Sequence, residues 1–340
     1  MTLRTPRSWY QRGRSRPAVL RWVAAPFAWA WTRATARRIA RGGAISVGPP
    51  VICVGNLTLG GAGKTPIAQE LARILRAPGI EAHILMRGHG GRLLGPVRVD
   101  PDRHTAADVG DEALMTASEV PVWIARDRAE GAKAAAAAGA ELIIMDDGHQ
   151  NPAVTKALSL VVVDGETRDF EWPFGDGAVF PAGPMREPLS AGLARADAVV
   201  IILPFDLPAP DQELVDLFAG APTFIARLTP VAPPPPGPQL AFAGLGKPWK
   251  MERALRAAGC DLVEFQPLAD HQALGEGLLA RLANRAAKLG AGLMTSEKDW
   301  VRLPHAWRAR VVAWPVRARF EDESGLVELL APVLAQVRAG

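Results

Sequence analysis

The run Val51-Ile-Cys-Val-Gly-Asn-Leu-Thr-Leu-Gly-Gly-Ala-Gly-Lys-Thr-Pro66 joins an apolar stretch to a glycine-rich loop and then to a Lys-Thr pair. Glycines let successive backbone N–H groups turn inward around phosphate oxygens, and a helix opening at Gly63-Lys64-Thr65 adds the positive end of its dipole. Lys64 would place a point charge on the β- and γ-phosphates of a nucleotide, and the Thr65 hydroxyl would ligate Mg2+. The strict pattern asks for glycine where this chain has Thr58. The tight turn is therefore expected to use Gly60 and Gly61, with Ala62 and Gly63 completing the cradle. Such a site needs an acidic residue at the end of a second buried strand, and Leu142-Ile-Ile-Met-Asp146-Asp147 supplies two. Adjacent carboxylates are costly to place together unless a cation compensates them, although a solvated turn is the plainer reading of the pair alone.

Arg186-Glu187, framed by Pro184 and Pro188, lies in a stretch too stiff for helix or central strand. A fork-shaped guanidinium on a rigid loop suits a phosphate on an acceptor molecule, and an ordinary surface ion pair is the alternative. Asp111, in Val109-Gly-Asp-Glu-Ala-Leu114, reads by itself as a helix N-cap. His271, between Asp270 and Gln272, reads by itself as a loop histidine.

Positioning these groups requires a layered scaffold. Apolar runs at 51–54, 82–86, 120–124, 141–145, 158–163 and 198–203 alternate with helical stretches at 66–76, 112–118, 129–139 and 189–195. Strand–helix alternation with buried-looking strands means a parallel sheet covered by helices. The expectation is an α/β fold with a phosphate-loop NTPase sheet over residues 46–228. Thr-Pro-Val-Ala-Pro-Pro-Pro-Pro-Gly-Pro, within 229–239, reads as a stiff spacer with neither helix nor strand. A smaller α/β domain is expected over 240–340, with strands near 240–245, 262–265, 292–295 and 311–314.

The 340 residues carry 39 basic and 35 acidic side chains, and the two cysteines exclude a disulfide scaffold and a four-cysteine zinc site. The charge is unevenly spread. Before Glu70 there are ten arginines and Lys64 with no carboxylate, which leaves the rest at a net −7. Residues 1–45 also hold Trp9, Trp22, Trp29 and Trp31, and Leu20, Val23, Phe27 and Trp31 fall at helical spacing. The apolar run 22–31 is too short to span a bilayer. Tryptophan at headgroup depth with arginine on lipid phosphates describes an amphipathic helix lying in the membrane interface. A core-packing helix with a basic face and a nucleic-acid arm are the alternatives. A net-acidic body argues against a nucleic-acid partner. A soluble switch ATPase would share the phosphate loop, but it has no use for the Pro-framed Arg-Glu loop.

Seven elements occur in one order: 55–66, Met86-Arg-Gly-His89, Val109-Gly-Asp-Glu112, Asp146-Asp-Gly-His-Gln150, Phe180-Pro-Ala-Gly-Pro-Met-Arg-Glu-Pro188, Asp270-His271 and Thr295-Ser-Glu-Lys-Asp299. Together they closely resemble the tetraacyldisaccharide 4′-kinase family, the lipid A kinases of Gram-negative bacteria, over roughly residues 15–303. The resemblance implies an ATP- and Mg2+-dependent lipid kinase. It would phosphorylate the 4′-hydroxyl of a tetraacylated glucosamine disaccharide 1-phosphate, giving lipid IVA, at the cytoplasmic face of the inner membrane. It implies Asp111 as catalytic aspartate supported by His271, Glu112 with Asp146 and Asp147 around the metal, and Arg87, His89, Arg128, Arg186 and Glu187 at the lipid head group. His89 stands where the family often has Tyr, and His149 where Phe is usual. No obligate protein partner is implied.

Overall fold

The structure, a computed structural model, describes residues 6–12 and 18–339. Its strands run β1 (Val51–Gly55), β2 (Ala82–Met86), β3 (Val97–Arg98), β4 (Val122–Ile124), β5 (Leu142–Asp146), β6 (Leu158–Asp164), β7 (Ala198–Pro204), β8 (Thr223–Pro230), β9 (Gln239–Ala243), β10 (Leu262–Pro267), β11 (Gly292–Ser296), β12 (Val312–Trp314) and β13 (Val316–Phe320). Nine of them form one sheet in the order β13-β8-β7-β6-β1-β5-β2-β4-β3, parallel except at its two edges. The other four form a second parallel sheet, β10-β9-β11-β12. The expected α/β architecture is present.

The large sheet is buried on both faces because its strands are apolar at consecutive positions. Ile52, Val54, Ile84, Ile144, Leu160 and Val200 face the helices Lys64–Arg76 and Glu323–Ala339. Val51, Leu85, Ile143 and Met145 face the helix Arg128–Ala137. Valines and isoleucines at Val161, Val163, Val199 and Ile201 pack on Trp172, Phe174 and Phe218. In the small sheet, Leu240 and Phe242 pack on the helix Glu276–Lys288, and Ala241 and Ala243 on the helix Pro248–Ala257.

The expected domain boundaries need correction at two points. Thr229 and Pro230, placed in the spacer by their proline-rich context, belong to β8, where they pair with Arg317 and Val316. The C-terminal 316–339 segment returns to the large sheet through β13 and buries Leu326, Leu330 and Val333 in its core. β8 escapes sequence reading because Arg227 interrupts its apolar pattern, and proline is tolerated at the end of a strand pairing near the sheet edge. The two sheets are thus linked twice, through 231–238 and at Pro315.

They are also joined by buried charge. Lys247 donates to Asp164 (2.9 Å) and Glu171 (3.1 Å), and Lys250 to Asp164 (2.6 Å). Arg253 pairs with Glu166 and Asp169. Burial would raise the Asp164 carboxyl, but Lys250 and Lys247 outweigh it and hold the group well below the usual carboxylate range. Lys247→Met leaves Asp164 paired with Lys250 and is expected to cost about 1–3 kcal/mol of stability, read from the denaturant midpoint at neutral pH.

Of the expected 1–45 segment, residues 1–5 and 13–17 lie outside the described residues, as does the side chain of Leu20. The rest comprises the short turn Arg7–Tyr10, the helix Ala18–Ala40 and the residues leading on toward β1. The helix does not carry a single apolar stripe. Thr35 is buried and Ala24, Ala28, Thr32 and Ile39 are half-buried along one side, whereas Trp22 (80% exposed), Phe27 (64%) and Trp29 (67%) project around the remainder. No described helix is long and apolar enough to cross a membrane.

Candidate active site

The phosphate loop leaves β1 and enters the helix Lys64–Arg76. Its positive-φ turns are Gly60 (95°) and Gly63 (84°); Gly61 takes no such conformation, which corrects the expected Gly60–Gly61 pair. A Cβ on Gly63 would stand 2.8 Å from Ile202 Cδ1, so both backbone angle and space demand glycine there. Thr58, at the position where glycine was expected, forms a bridge with Met185 instead. The Phe180–Pro188 loop lies against the phosphate loop. Leu59 N donates to Pro184 O (2.8 Å), Arg186 N to Leu57 O (2.8 Å), and Arg186 Nε to Thr58 O (2.9 Å).

The two adjacent aspartates are turned apart by the left-handed backbone of Asp147 (φ 55°). Asp146, 4% exposed, accepts the Thr65 hydroxyl at Oδ2 (2.7 Å), and its Oδ1 is buried with no hydrogen-bond partner. Burial pushes its pKa up to about 6 despite Lys64. Asp147 faces Lys64 Nζ (3.5 Å) and Arg186 (2.7 Å). Desolvation opposes its ionisation, but Lys64 and Arg186 prevail and hold it well below the ordinary range. Neighbouring carboxylates pushed in opposite directions carry different tasks.

An orphaned, buried carboxylate oxygen beside a hydroxyl and a phosphate loop fits a divalent cation. Among the described residues, no group of three or more His, Cys, Asp or Glu forms a complete metal cage. Magnesium needs none, because it takes one or two carboxylates and draws its other oxygens from water and phosphate. The raised Asp146 pKa sets a sign. Folded-state stability from this group is fully present below pH 3.8 and is lost as pH rises through about 6. Mg2+ requires the ionised form, so its apparent affinity is expected to fall about tenfold per pH unit below pH 6. Mg2+ titrations at pH 5, 6 and 7.5 check this.

Asp111 opens the helix Asp111–Ala117 behind Gly110. Gly110 has φ 92°, and a Cβ on it would stand 2.4 Å from His89 O, so the Arg87–Gly91 turn is seated directly on it. His271 belongs to the small-sheet half, after β10, yet its Nδ1 lies 2.8 Å from Asp111 Oδ2. His271 takes a left-handed φ of 55°, uncommon for a residue other than glycine. Burial favours the neutral carboxyl of Asp111, but the hydrogen bond from His271 and the charge of Lys298 hold its pKa below normal. That hydrogen bond raises the pKa of His271 in turn. Asp111 therefore adds stability above pH 3.8 that is lost as acid protonates it. His271 adds stability below pH 6.5 that is lost as its raised pKa is passed.

The expected head-group residues divide. Arg87 and His89 are exposed, with the His89 ring 5.9 Å from that of His271. Arg186 spends its guanidinium on Asp147 and the phosphate loop. Arg128 and Glu187 differ from the expectation. Arg128, 3% exposed, donates to the carbonyls of Ala125 and Asp146, because the helix it begins sits beneath the end of β5. Glu187 is buried against Arg195 (2.7 Å) and Gln150 (3.0 Å). His149 packs as a neutral ring: burial lowers its pKa to about 4, and Nε2 lies 2.9 Å from Gly192 O.

Two residues were not singled out from the sequence. Lys298 bonds Glu112 (3.0 Å), and Arg302 bonds Asp299 (2.9 Å) and stands 3.9 Å from Asp111. Lys298 and Asp299 belong to Thr295-Ser-Glu-Lys-Asp299, one of the seven elements that carry the family resemblance. Ser296 does cap, accepting from Asp299 N, and the same turn aims Lys298 across at the first half of the chain.

A family model described as tetraacyldisaccharide-1-P 4′-kinase matches residues 20–335. The chain belongs to that family. The kinase is 64% identical over 326 residues to a tetraacyldisaccharide 4′-kinase of Phenylobacterium zucineum, covering 96% of this chain and 98% of that one. It is 61% identical to one of Caulobacter vibrioides, covering 97% and 98%. Among solved structures it is similar to LpxK from Aquifex aeolicus in complex with ATP, with a TM-score of 0.72 and 25% identity over 92% of this chain and 99% of that one.

Proposed function

We propose that this kinase transfers the γ-phosphoryl group of ATP to the 4′-hydroxyl of a tetraacylated glucosamine disaccharide 1-phosphate. The observation that supports the reading best is the pairing of a nucleotide-type phosphate loop with the buried Asp111–His271 contact, a proton acceptor that a mere switch does not need. As the sugar oxygen bonds to the γ-phosphorus, the bond to the bridging oxygen breaks and the hydroxyl proton passes to Asp111. His271 orients the carboxylate. Lys64 sits on the transferred phosphates. Thr65 and Asp146, with Asp147 and Glu112 nearby, would hold Mg2+, which neutralises charge on the phosphate oxygens.

Arg87 and His89, both exposed, with the His89 ring beside that of His271, would meet the disaccharide. Arg186 serves the nucleotide side first. Arg186→Ala is expected to raise KM for MgATP at least as much as KM for lipid, and steady-state titration of each substrate decides between them. The arginines and exposed tryptophans of Ala18–Ala40 would rest the enzyme on the cytoplasmic face of the inner membrane, near its acceptor. The test is transfer of label from γ-labelled ATP to an acylated glucosamine disaccharide 1-phosphate in mixed micelles. ATP cleavage without labelled lipid would overturn the proposal.

A further inference from the structure

The N-terminal segment touches the nucleotide site at two points. The turn Arg7–Tyr10 brings Tyr10, the chain's only tyrosine and 7% exposed, under the phosphate loop, where its hydroxyl donates to the carbonyl of Leu59. The turn is fixed from the other side: Trp172 N donates to Tyr10 O (2.6 Å), and Gln11 pairs with Glu171. Lys247 Nζ stands 4.9 Å from the centre of the Tyr10 ring, so the ring also meets the cation that ties the small sheet to the large one. The second point is Trp31, whose ring packs edge-on to Phe180 (5.0 Å) and whose Nε1 donates to Arg186 O (3.0 Å).

The Leu59 carbonyl is no ordinary acceptor. A trans peptide is planar, with its C=O and N–H pointing oppositely. Holding Leu59 O toward Tyr10 therefore aims the Gly60 N–H the other way. Gly60, at φ 95°, begins the turn of the phosphate loop and has no Cβ to resist rotation of that peptide plane. A phosphate loop binds by the direction of its N–H groups. Fixing one carbonyl thereby fixes a donor.

We propose that Tyr10 is a positioning residue of the nucleotide site, its hydroxyl locking the Leu59–Gly60 peptide in the phosphate-binding orientation. Trp31 acts in the same direction on the Arg186 side. The N-terminal segment is then a working part of the ATP site as well as a seat for the enzyme. Tyr10→Phe keeps the ring against Lys247 and removes only the hydroxyl.

For the full-length variant, the expected result is a 5- to 20-fold weaker Kd for a fluorescent ATP analogue with Mg2+ and no lipid. KM for ATP should rise by a similar factor, KM for lipid should stay within twofold, and the melting temperature should be preserved. Unchanged nucleotide affinity, or a defect confined to KM for lipid, would overturn the assignment. Should Tyr10→Phe lower the melting temperature, Trp31→Phe decides, because it retains the packing on Phe180 and loses the N–H. The same selective loss of ATP affinity supports the proposal and its absence refutes it. Nucleotide binding is read without acceptor, so failure here leaves the lipid-kinase reading standing. Failure of wild-type transfer would strike that reading alone.

Discussion

Asp111→Asn is expected to lower kcat by about 10²–10⁴-fold, the usual contribution of a positioned general base, while KM for MgATP moves little. The amide is nearly isosteric: its single oxygen can still accept from Glu112 N at the Oδ1 position, while its NH2 stands opposite His271 Nδ1 in place of Oδ2. What it cannot do is take a proton. Removing the carboxylate also removes the main cause of the raised His271 pKa, so the imidazole should titrate nearer 6.5. Single-turnover rates with NMR titration of His271 give both readouts. Near wild-type turnover in a folded Asp111→Asn enzyme would end the base assignment. His271→Ala should cost less, because the carboxylate remains, held by Lys298 and Arg302 at longer range.

Asp146→Asn should move activity and stability in opposite directions. A buried carboxyl raised from 3.8 to about 6 penalises the metal-free fold at neutral pH by on the order of 3 kcal/mol. The amide carries no such penalty and can still accept the Thr65 hydroxyl. Metal-free Asp146→Asn is therefore expected to melt higher than wild type, with a gain of about 1–3 kcal/mol that vanishes below pH 4. The same change removes the anion that the cation requires. Phosphoryl transfer should fall by 10²-fold or more at saturating ATP, with the Mg2+ optimum displaced to higher concentration. A variant that is both less stable and fully active would contradict the account of the unpartnered oxygen.

The core was legible because its strands are short β-branched runs, apolar at consecutive positions and alternating with helical stretches, as in a sheet buried on both faces. Residues 82–86 and 198–203 coincide with β2 and β7 almost residue for residue. The edges were not legible. β3 has two residues, and β13 alternates arginine with apolar side chains, so neither rises above the background of a loop. Within the site, Lys64, Thr65 and Asp146 announce themselves by spacing, since their chemistry depends on contiguous backbone. Asp111 and His271 do not, being 160 residues apart in the chain, and family resemblance alone brought them together. Lys298 could have been suspected as the one lysine in a capping turn, but the direction it faces depends on how the two sheets meet. Arg128 goes the opposite way: a charge that the family resemblance put at the lipid head group turns inward to hold a backbone carbonyl.

Asp111 lies in the half of the chain built on the large sheet, and His271 in the half built on the small one. On the proposed assignment the base is aligned only across the seam between the two sheets, so the Lys247–Asp164–Glu171 cluster that closes this seam bears on turnover as well as on folding.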